Sequence, residues 1–94
     1  MGKAEYKVKG GKLIRVQLLR GSDKIERIKI SGDFFLHPEE FIEELEKALL
    51  GNTLNESNLA EVIETVLGRG EATLLGAAST DFAKCIMMAS EKDA

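Results

Sequence analysis

The chain has 94 residues, of which 44% are hydrophobic and 31% are charged. This composition is too apolar for a disordered chain, and no apolar run reaches the roughly 18 residues that a membrane span needs. We therefore expect one soluble domain over residues 1–94. The first residues lack the apolar core of a signal peptide, and Cys85 is the one cysteine. We accordingly expect a cytoplasmic protein with no membrane association, no internal disulfide and no cysteine-based metal site.

The formal net charge of −3 is unevenly distributed along the chain. Residues 1–31 hold nine lysines and arginines and three acidic residues. Residues 32–94 hold four lysines and arginines and thirteen acidic residues. The first third is therefore basic and the remainder acidic. If the two parts form different layers of the fold, they should give the molecule opposite faces of opposite charge.

Residues 4–31 predict three antiparallel strands, because apolar and polar side chains alternate in three successive runs. Gly10-Gly11 predicts a two-residue hairpin turn, and Gly21, Ser22 and Asp23 predict the second turn. The apolar face of this sheet would hold Tyr6, Val8, Ile14, Val16, Leu18, Ile28 and Ile30. The opposite face would carry the cations Lys7, Lys9, Arg15, Arg27 and Lys29.

A glycine, an aspartate and two adjacent aromatic rings follow the third strand, at Gly32, Asp33, Phe34 and Phe35. We expect the two rings to point in different directions, one into the core and one toward the surface. An exposed ring at this place is a natural anchor for a protein interface. The alternative is that both rings only close the end of the core.

From Pro38 onward the apolar residues recur at the spacing of an α-helix, which predicts a first helix with Pro38 at its first position. Gly51 predicts the end of this helix. Asn55 predicts the N-cap of a second helix that ends at Gly68. His37, directly before the proline, is interpreted as an N-cap or loop residue.

Residues 69–78 are expected to form a connection to a third helix, which Ser79 or Thr80 caps. Cys85 falls on the apolar face of this helix and is interpreted as a small buried hydrophobic residue. Residues 91–94 are expected to fray.

A sheet with one apolar face, followed by three amphipathic helices, predicts an α+β fold. In this fold a three-stranded antiparallel sheet has three helices on one face, as a two-layer sandwich. The other face of the sheet stays basic and open to solvent.

The pattern of residues predicts no catalytic, metal-binding or cofactor-binding constellation in this chain. Glutamates at positions 39, 40, 43, 44 and 46 spread around the solvent side of one helix. The basic sheet face has two interpretations. It is a solvated face whose lysines discourage edge-to-edge aggregation, or it meets an acidic protein surface or a phosphate-bearing reaction site. Nucleic acid is disfavoured, because that face lacks the aromatic side chains on which bases stack.

The run from Ile28 to Phe35, with the acidic helix that ends at Ala48-Leu49-Leu50-Gly51, resembles the C-terminal accessory domain of lipoate–protein ligases. The resemblance covers roughly residues 5–90 and is most specific at Gly32 to Phe35 and at residues 44–51. It implies a small α+β domain, in agreement with the fold predicted from the patterns.

In this family a catalytic domain forms lipoyl-adenylate from lipoate and ATP and transfers lipoate to a lysine of a lipoyl domain. No segment of these 94 residues resembles that domain, so the chain resembles the separately encoded accessory subunit. The resemblance implies a non-catalytic partner in a heterodimer with the catalytic subunit, needed for adenylation. ATP, lipoate and magnesium are then used by the complex and not bound by this chain.

The candidate interface combines the junction with the basic sheet face. The lipoyl-domain acceptor is a second candidate partner. The alternative function is a stand-alone binding module that holds an acidic protein or nucleic acid on the basic face. The candidate interface residues are Gly32, Asp33, Phe34, Phe35, Lys7, Lys9, Arg15, Arg27 and Lys29.

Overall fold

The computed structural model describes residues 1–92 and has two antiparallel sheets and three helices. β1, β2 and β3 form a sheet in chain order, and β4 pairs with β5 in a separate two-stranded ribbon. The predicted α+β fold is confirmed, but the ribbon was not predicted. The elements are β1 Gly2–Lys7, β2 Leu13–Gly21, β3 Lys24–Gly32, β4 Phe35–His37, α1 Phe41–Leu49, α2 Glu56–Arg69, β5 Thr73–Leu75 and α3 Ser79–Lys92.

One hydrophobic core joins the inner face of the three-stranded sheet to all three helices. α3 packs against β1 and β2, α1 packs against β3, and α2 packs on the other two helices. Burial of these apolar side chains supplies the main driving force for this arrangement. The buried residues of the hydrophobic core include Ala4, Val16, Leu18, Ile30, Leu45, Leu49, Leu59, Ile63, Phe82 and Ile86. Within residues 1–92, no helix is long and apolar enough to span a bilayer.

The turn between β1 and β2 is longer than the predicted two residues. The Gly11 N–H donates to the Val8 carbonyl at 2.8 Å, and the Val8 N–H donates to the Lys12 carbonyl at 3.0 Å. Lys9 therefore lies in the turn and not on the sheet face, which corrects its predicted position. Gly11 is needed for close packing, because a Cβ there would lie 2.6 Å from the carbonyl oxygen of Gly76.

A β-bulge interrupts the pairing of β2 with β3. Leu19 pairs with Arg27 and Arg20 pairs with Ile25, so Glu26 is the extra residue. The extra residue shifts the alternation of inward and outward side chains by one position. Ile25, which is 2% exposed, therefore points into the core. The second turn forms where it was predicted, with Ser22 at φ 61°.

The outer edge of β3 is covered by α1 and by the residues that follow this helix. The Ile30 N–H donates to Glu46 Oε2 at 2.7 Å. The Ile25 N–H donates to the Asn52 carbonyl at 3.1 Å, and the Gly51 N–H donates to the Ile25 carbonyl at 2.8 Å. These bonds satisfy an edge that could otherwise pair with another chain.

α1 begins at Phe41 and not at Pro38, which corrects the predicted start. The Phe41 N–H donates to the Pro38 carbonyl at 3.0 Å in a tight turn that leads into the helix. His37 belongs to β4 and is not a cap, and the His37–Pro38 peptide is cis. The residue before a proline favours extended backbone, and pairing with β5 keeps this segment extended.

Asn55 caps α2 as predicted, because its side chain accepts a hydrogen bond from the Asn58 N–H at 3.0 Å. The helix continues past Gly68 and ends at Arg69.

The predicted cap of α3 by Ser79 or Thr80 is wrong. Asp81 Oδ2 accepts from the Ala78 N–H at 2.8 Å, and Ser79 Oγ donates to Glu64 Oε2 of α2 at 2.8 Å. α3 remains helical through Lys92, so the expected fraying is wrong for residues 91–92. Residues 93–94, the rest of that prediction, lie outside the described residues.

Candidate docking surface

Gly32 and Asp33 fix the junction to the start of β2. The Asp33 N–H donates to the Leu13 carbonyl at 3.1 Å, and Asp33 Oδ1 accepts from the Leu13 N–H at 2.5 Å. Gly32 has a φ of +150°, and a Cβ at this position would collide with the Leu13 carbonyl oxygen. The carboxylate of Asp33 therefore holds the end of the sheet together.

The two rings of the junction point in different directions, as predicted. Phe34 is half-buried and meets Phe82 of α3 edge to face, with 4.9 Å between ring centroids and an interplanar angle of 84°. Phe35 is 53% exposed. Phe34 thus packs against the core, and Phe35 presents its ring to solvent.

Phe35 belongs to an exposed apolar face of the two-stranded ribbon. It pairs directly with Leu75 of β5, which is 57% exposed. The ring of His37 stacks on Phe35, with 6.5 Å between centroids and an interplanar angle of 7°. We call these three residues, Phe35, His37 and Leu75, the ribbon patch. Leu36 between them is buried, which is the alternation expected of a strand.

A shallow groove of about 210 Å³ lies beside the ribbon patch. It runs between the junction and α1, and its size suits one large apolar side chain. Its lining residues are Gly32, Phe34, Phe35, Leu36, Glu39 and Ile42.

The β1–β2 hairpin adjoins the end of the ribbon through Lys12. The Lys12 N–H donates to the Gly76 carbonyl at 3.2 Å, directly after Leu75. A Cβ at Gly76 would lie 2.6 Å from Cγ of Lys12, so this side chain lies against the ribbon. We call Lys9 and Lys12, in the loop of this hairpin, the hairpin lysines. Both are exposed, and neither forms an ion pair with any residue of the described range 1–92.

Four of the predicted cations share the exposed outer face of the three-stranded sheet: Lys7, Arg15, Arg27 and Lys29. Arg15 Nε is 2.7 Å from Glu5 Oε2 on the neighbouring strand. This ion pair places the Glu5 carboxylate of β1 beside Arg15 on the central strand and neutralises one cation of the basic face. Both side chains are more than half exposed, and a pair of this kind contributes little to stability.

Cys85 lies inside the core, as predicted. Its Sγ donates to the carbonyl oxygens of Ala4 and Ile14, each at 3.7 Å. Burial, together with the nearby charge of Glu5, raises the pKa of the Cys85 thiol to about 11. At neutral pH this thiol is therefore protonated and enclosed, which is the state of a structural cysteine. Across residues 1–92, no three His, Cys, Asp or Glu side chains are grouped as a metal site would require.

Comparison with known proteins agrees with this architecture. The model of the family described as the C-terminus of bacterial lipoate protein ligase matches residues 3–86. The chain belongs to this family. A relative named lipoate-protein ligase A subunit 2, from Thermoplasma acidophilum, is 40% identical over 68 residues, which cover 72% of this chain and 69% of the relative.

A solved structure is similar to this chain over almost its whole length. The match has a TM-score of 0.74 and 34% identity, and it covers 89% of this chain and 91% of the other. That structure comes from an archaeal lipoylation system of Thermoplasma acidophilum, described as a bi-partite lipoate protein ligase and its E2 lipoyl domain.

Three surface residues of this lipoate–protein ligase C-terminal domain were not among the predicted interface residues: Leu75, His37 and Lys12. The adjacent leucines at positions 74 and 75, inside a segment with glycines and alanines, were the available signal for a short strand. Their pairing with β4 joins distant parts of the chain, and no local pattern indicates such a pairing.

Proposed function

We propose that this chain is a non-catalytic accessory subunit of a two-part lipoate–protein ligase. It binds the catalytic subunit and supports ATP-dependent formation of lipoyl-adenylate, and through it the lipoylation of lipoyl-domain lysines. The observation that carries the proposal is the match of residues 3–86 to the ligase C-terminal family. The likeness to a chain from a bi-partite ligase supports it further. In this proposal the catalytic subunit holds ATP, lipoate and magnesium, and the complex acts in the cytoplasm.

The chemistry of the described side chains supports a binding role. The Cys85 thiol is enclosed by the core, and the His37 ring stacks on an exposed phenylalanine. An accessory subunit can act by binding one conformation of its partner more tightly than another. It can also close over a reactive acyl-adenylate and exclude the water that would hydrolyse it.

Reconstitution with the catalytic subunit from the same genome tests the proposal. Each protein and the equimolar mixture are supplied with lipoate, ATP and magnesium, and lipoyl-adenylate formation is followed. We expect strong formation only in the mixture, because this chain supplies a conformation or a closure that the catalytic subunit lacks. A catalytic subunit that is equally active alone would contradict the proposal. A heat-denatured sample of this chain is the control for nonspecific protein effects.

A stand-alone binding module is the second candidate function, supported by Arg27 and Lys29 on the exposed outer face of the sheet. Its distinguishing property is binding without the ligase. Titration with single-stranded and double-stranded oligonucleotides at several salt concentrations tests it, because phosphate contacts weaken steeply with salt. Tight, salt-dependent binding, with no effect on the ligase, would favour this candidate.

A further inference from the structure

We propose that the ribbon patch, the groove beside it and the hairpin lysines form one docking surface for the catalytic subunit. This inference rests on the proposed function and adds to it the place and the chemistry of the contact. The partner presents there a large apolar side chain that is bordered by carboxylates.

The apolar centre of this surface is the pair of Phe35 and Leu75. Each is more than half exposed, and the ladder between β4 and β5 holds the two side chains next to each other. Leu36 anchors the ribbon from below, because it is buried. An aromatic side chain held in place on a short strand loses little freedom on binding, and such residues dominate interface energies.

The groove extends the apolar centre toward α1. It has about 210 Å³ of space between Phe34, Phe35 and Ile42. One large aliphatic or aromatic side chain of the partner can fill this space and cover the edge of Phe35. A projecting ring beside a groove is the shape expected of mutual insertion between two proteins.

The charge beside the patch indicates the partner's chemistry. Lys9 and Lys12 lie in the hairpin loop that bonds to the end of β5. These lysines carry like charge beside Leu75, whereas the exposed carboxylates of Asp33 and Glu39 lie on the side of the junction and the groove. Carboxylates on the partner complement this charge and align the two surfaces.

The size of the patch indicates a composite surface. A stable interface covers about 600–1,000 Å² on each partner, far more than two exposed side chains provide. The groove shares Phe35 with the patch, and Lys12 contacts Gly76 next to Leu75, so both add area to the patch. The outer sheet face is a weaker candidate, because its central Arg15 already has a carboxylate partner in Glu5.

Binding of purified chains to the catalytic subunit by calorimetry tests the apolar part. The variant Phe35→Ala/Leu75→Ala should bind at least about tenfold more weakly than wild type, since both anchors are removed. The matched control is Leu50→Ala, which removes another large exposed side chain, 47% exposed, at the end of α1. This control should bind within about twofold of wild type. Thermal unfolding of each variant verifies that the fold is retained.

Charge reversal tests the lysines independently of the apolar anchors. Lys9→Glu/Lys12→Glu should weaken binding about tenfold or more at low salt, and less as ionic strength rises. Lys3→Glu/Lys29→Glu, on the outer sheet face, is the control of equal charge change. It should retain affinity within about threefold.

The outcomes separate this inference from the proposed function. If wild-type chain neither binds nor activates the catalytic subunit, both proposals are wrong. If wild type binds and activates, but the ribbon variant binds as tightly as Leu50→Ala, only the docking surface is wrong. The docking surface is also wrong if the sheet-face variant loses more affinity than the hairpin variant. A last outcome would also show that the docking surface is wrong. In it, the wild-type chain self-associates, and the ribbon variant no longer does so but binds the catalytic subunit as tightly as wild type.

Discussion

The thiol of Cys85 lies between α3 and the first two strands, where burial raises its pKa to about 11. In the unfolded chain the thiol ionises near its ordinary pKa of 9.0. Between these two pH values the unfolded chain releases a proton that the folded chain keeps. The free energy of unfolding should therefore fall as pH rises from about 9 to about 11, by about 2–3 kcal/mol from this group.

Denaturant unfolding at pH 8 and pH 10.5 measures this loss. Cys85→Ala serves as the control, because this variant loses the thiol and retains every other ionisable side chain of the chain. The variant should be less stable at pH 8, yet lose less stability on the change to pH 10.5. An identical loss in both proteins would show that the thiol does not contribute.

The two adjacent rings of the junction should respond differently to truncation. Phe34→Ala removes the edge-to-face contact with Phe82 and should lower the free energy of unfolding by about 2–3 kcal/mol. Removal of a fully buried ring costs more, about 3–5 kcal/mol. Phe35→Ala removes an exposed ring and should change the free energy of unfolding by less than about 1 kcal/mol. Urea unfolding of both variants makes the comparison. Equal losses would mean that the exposed ring also supports the fold.

At the scale of elements, Glu46 of α1 closes the edge of β3 by accepting from the Ile30 N–H. Glu46→Ala should cost about 1–2 kcal/mol, because this N–H loses its partner in a poorly solvated place. Glu43→Ala, an exposed residue of the same helix, is the matched control and should have little effect. Amide hydrogen exchange at Ile30 should accelerate only in the first variant. Unchanged protection would contradict a role for the carboxylate at this edge.

The strands and helices were predictable wherever one local rule acted alone. The alternation of apolar and polar residues predicted β1, β2 and β3, and Asn55 predicted the start of α2. Three features depended on distant partners and were not predicted. The ribbon needs pairing across α1 and α2, the bulge at Glu26 needs the core to draw in Ile25, and Gly11 is set by contact with Gly76.

For the molecule as a whole, the sequence indicated the layers, the basic sheet face and the family. It located half of the candidate docking surface, because Phe35 lies in a recognisable junction. Leu75 and Lys12 were not predicted as interface residues, because only the folded chain brings the β1–β2 hairpin and β5 to the same end of the molecule.

The ribbon joins a segment before α1 to a segment after α2, so both helices lie between its two strands along the chain. Pairing between such distant segments forms late, because the chain entropy of closing the intervening loop must first be overcome. A partner that docks on the ribbon patch therefore recognises only chains in which β4 and β5 have paired. Its binding also stabilises them, by about 2.7 kcal/mol when the partner is present at 100 times the Kd. Under the proposed function, binding to the catalytic subunit thus also tests whether the ribbon of this chain has formed.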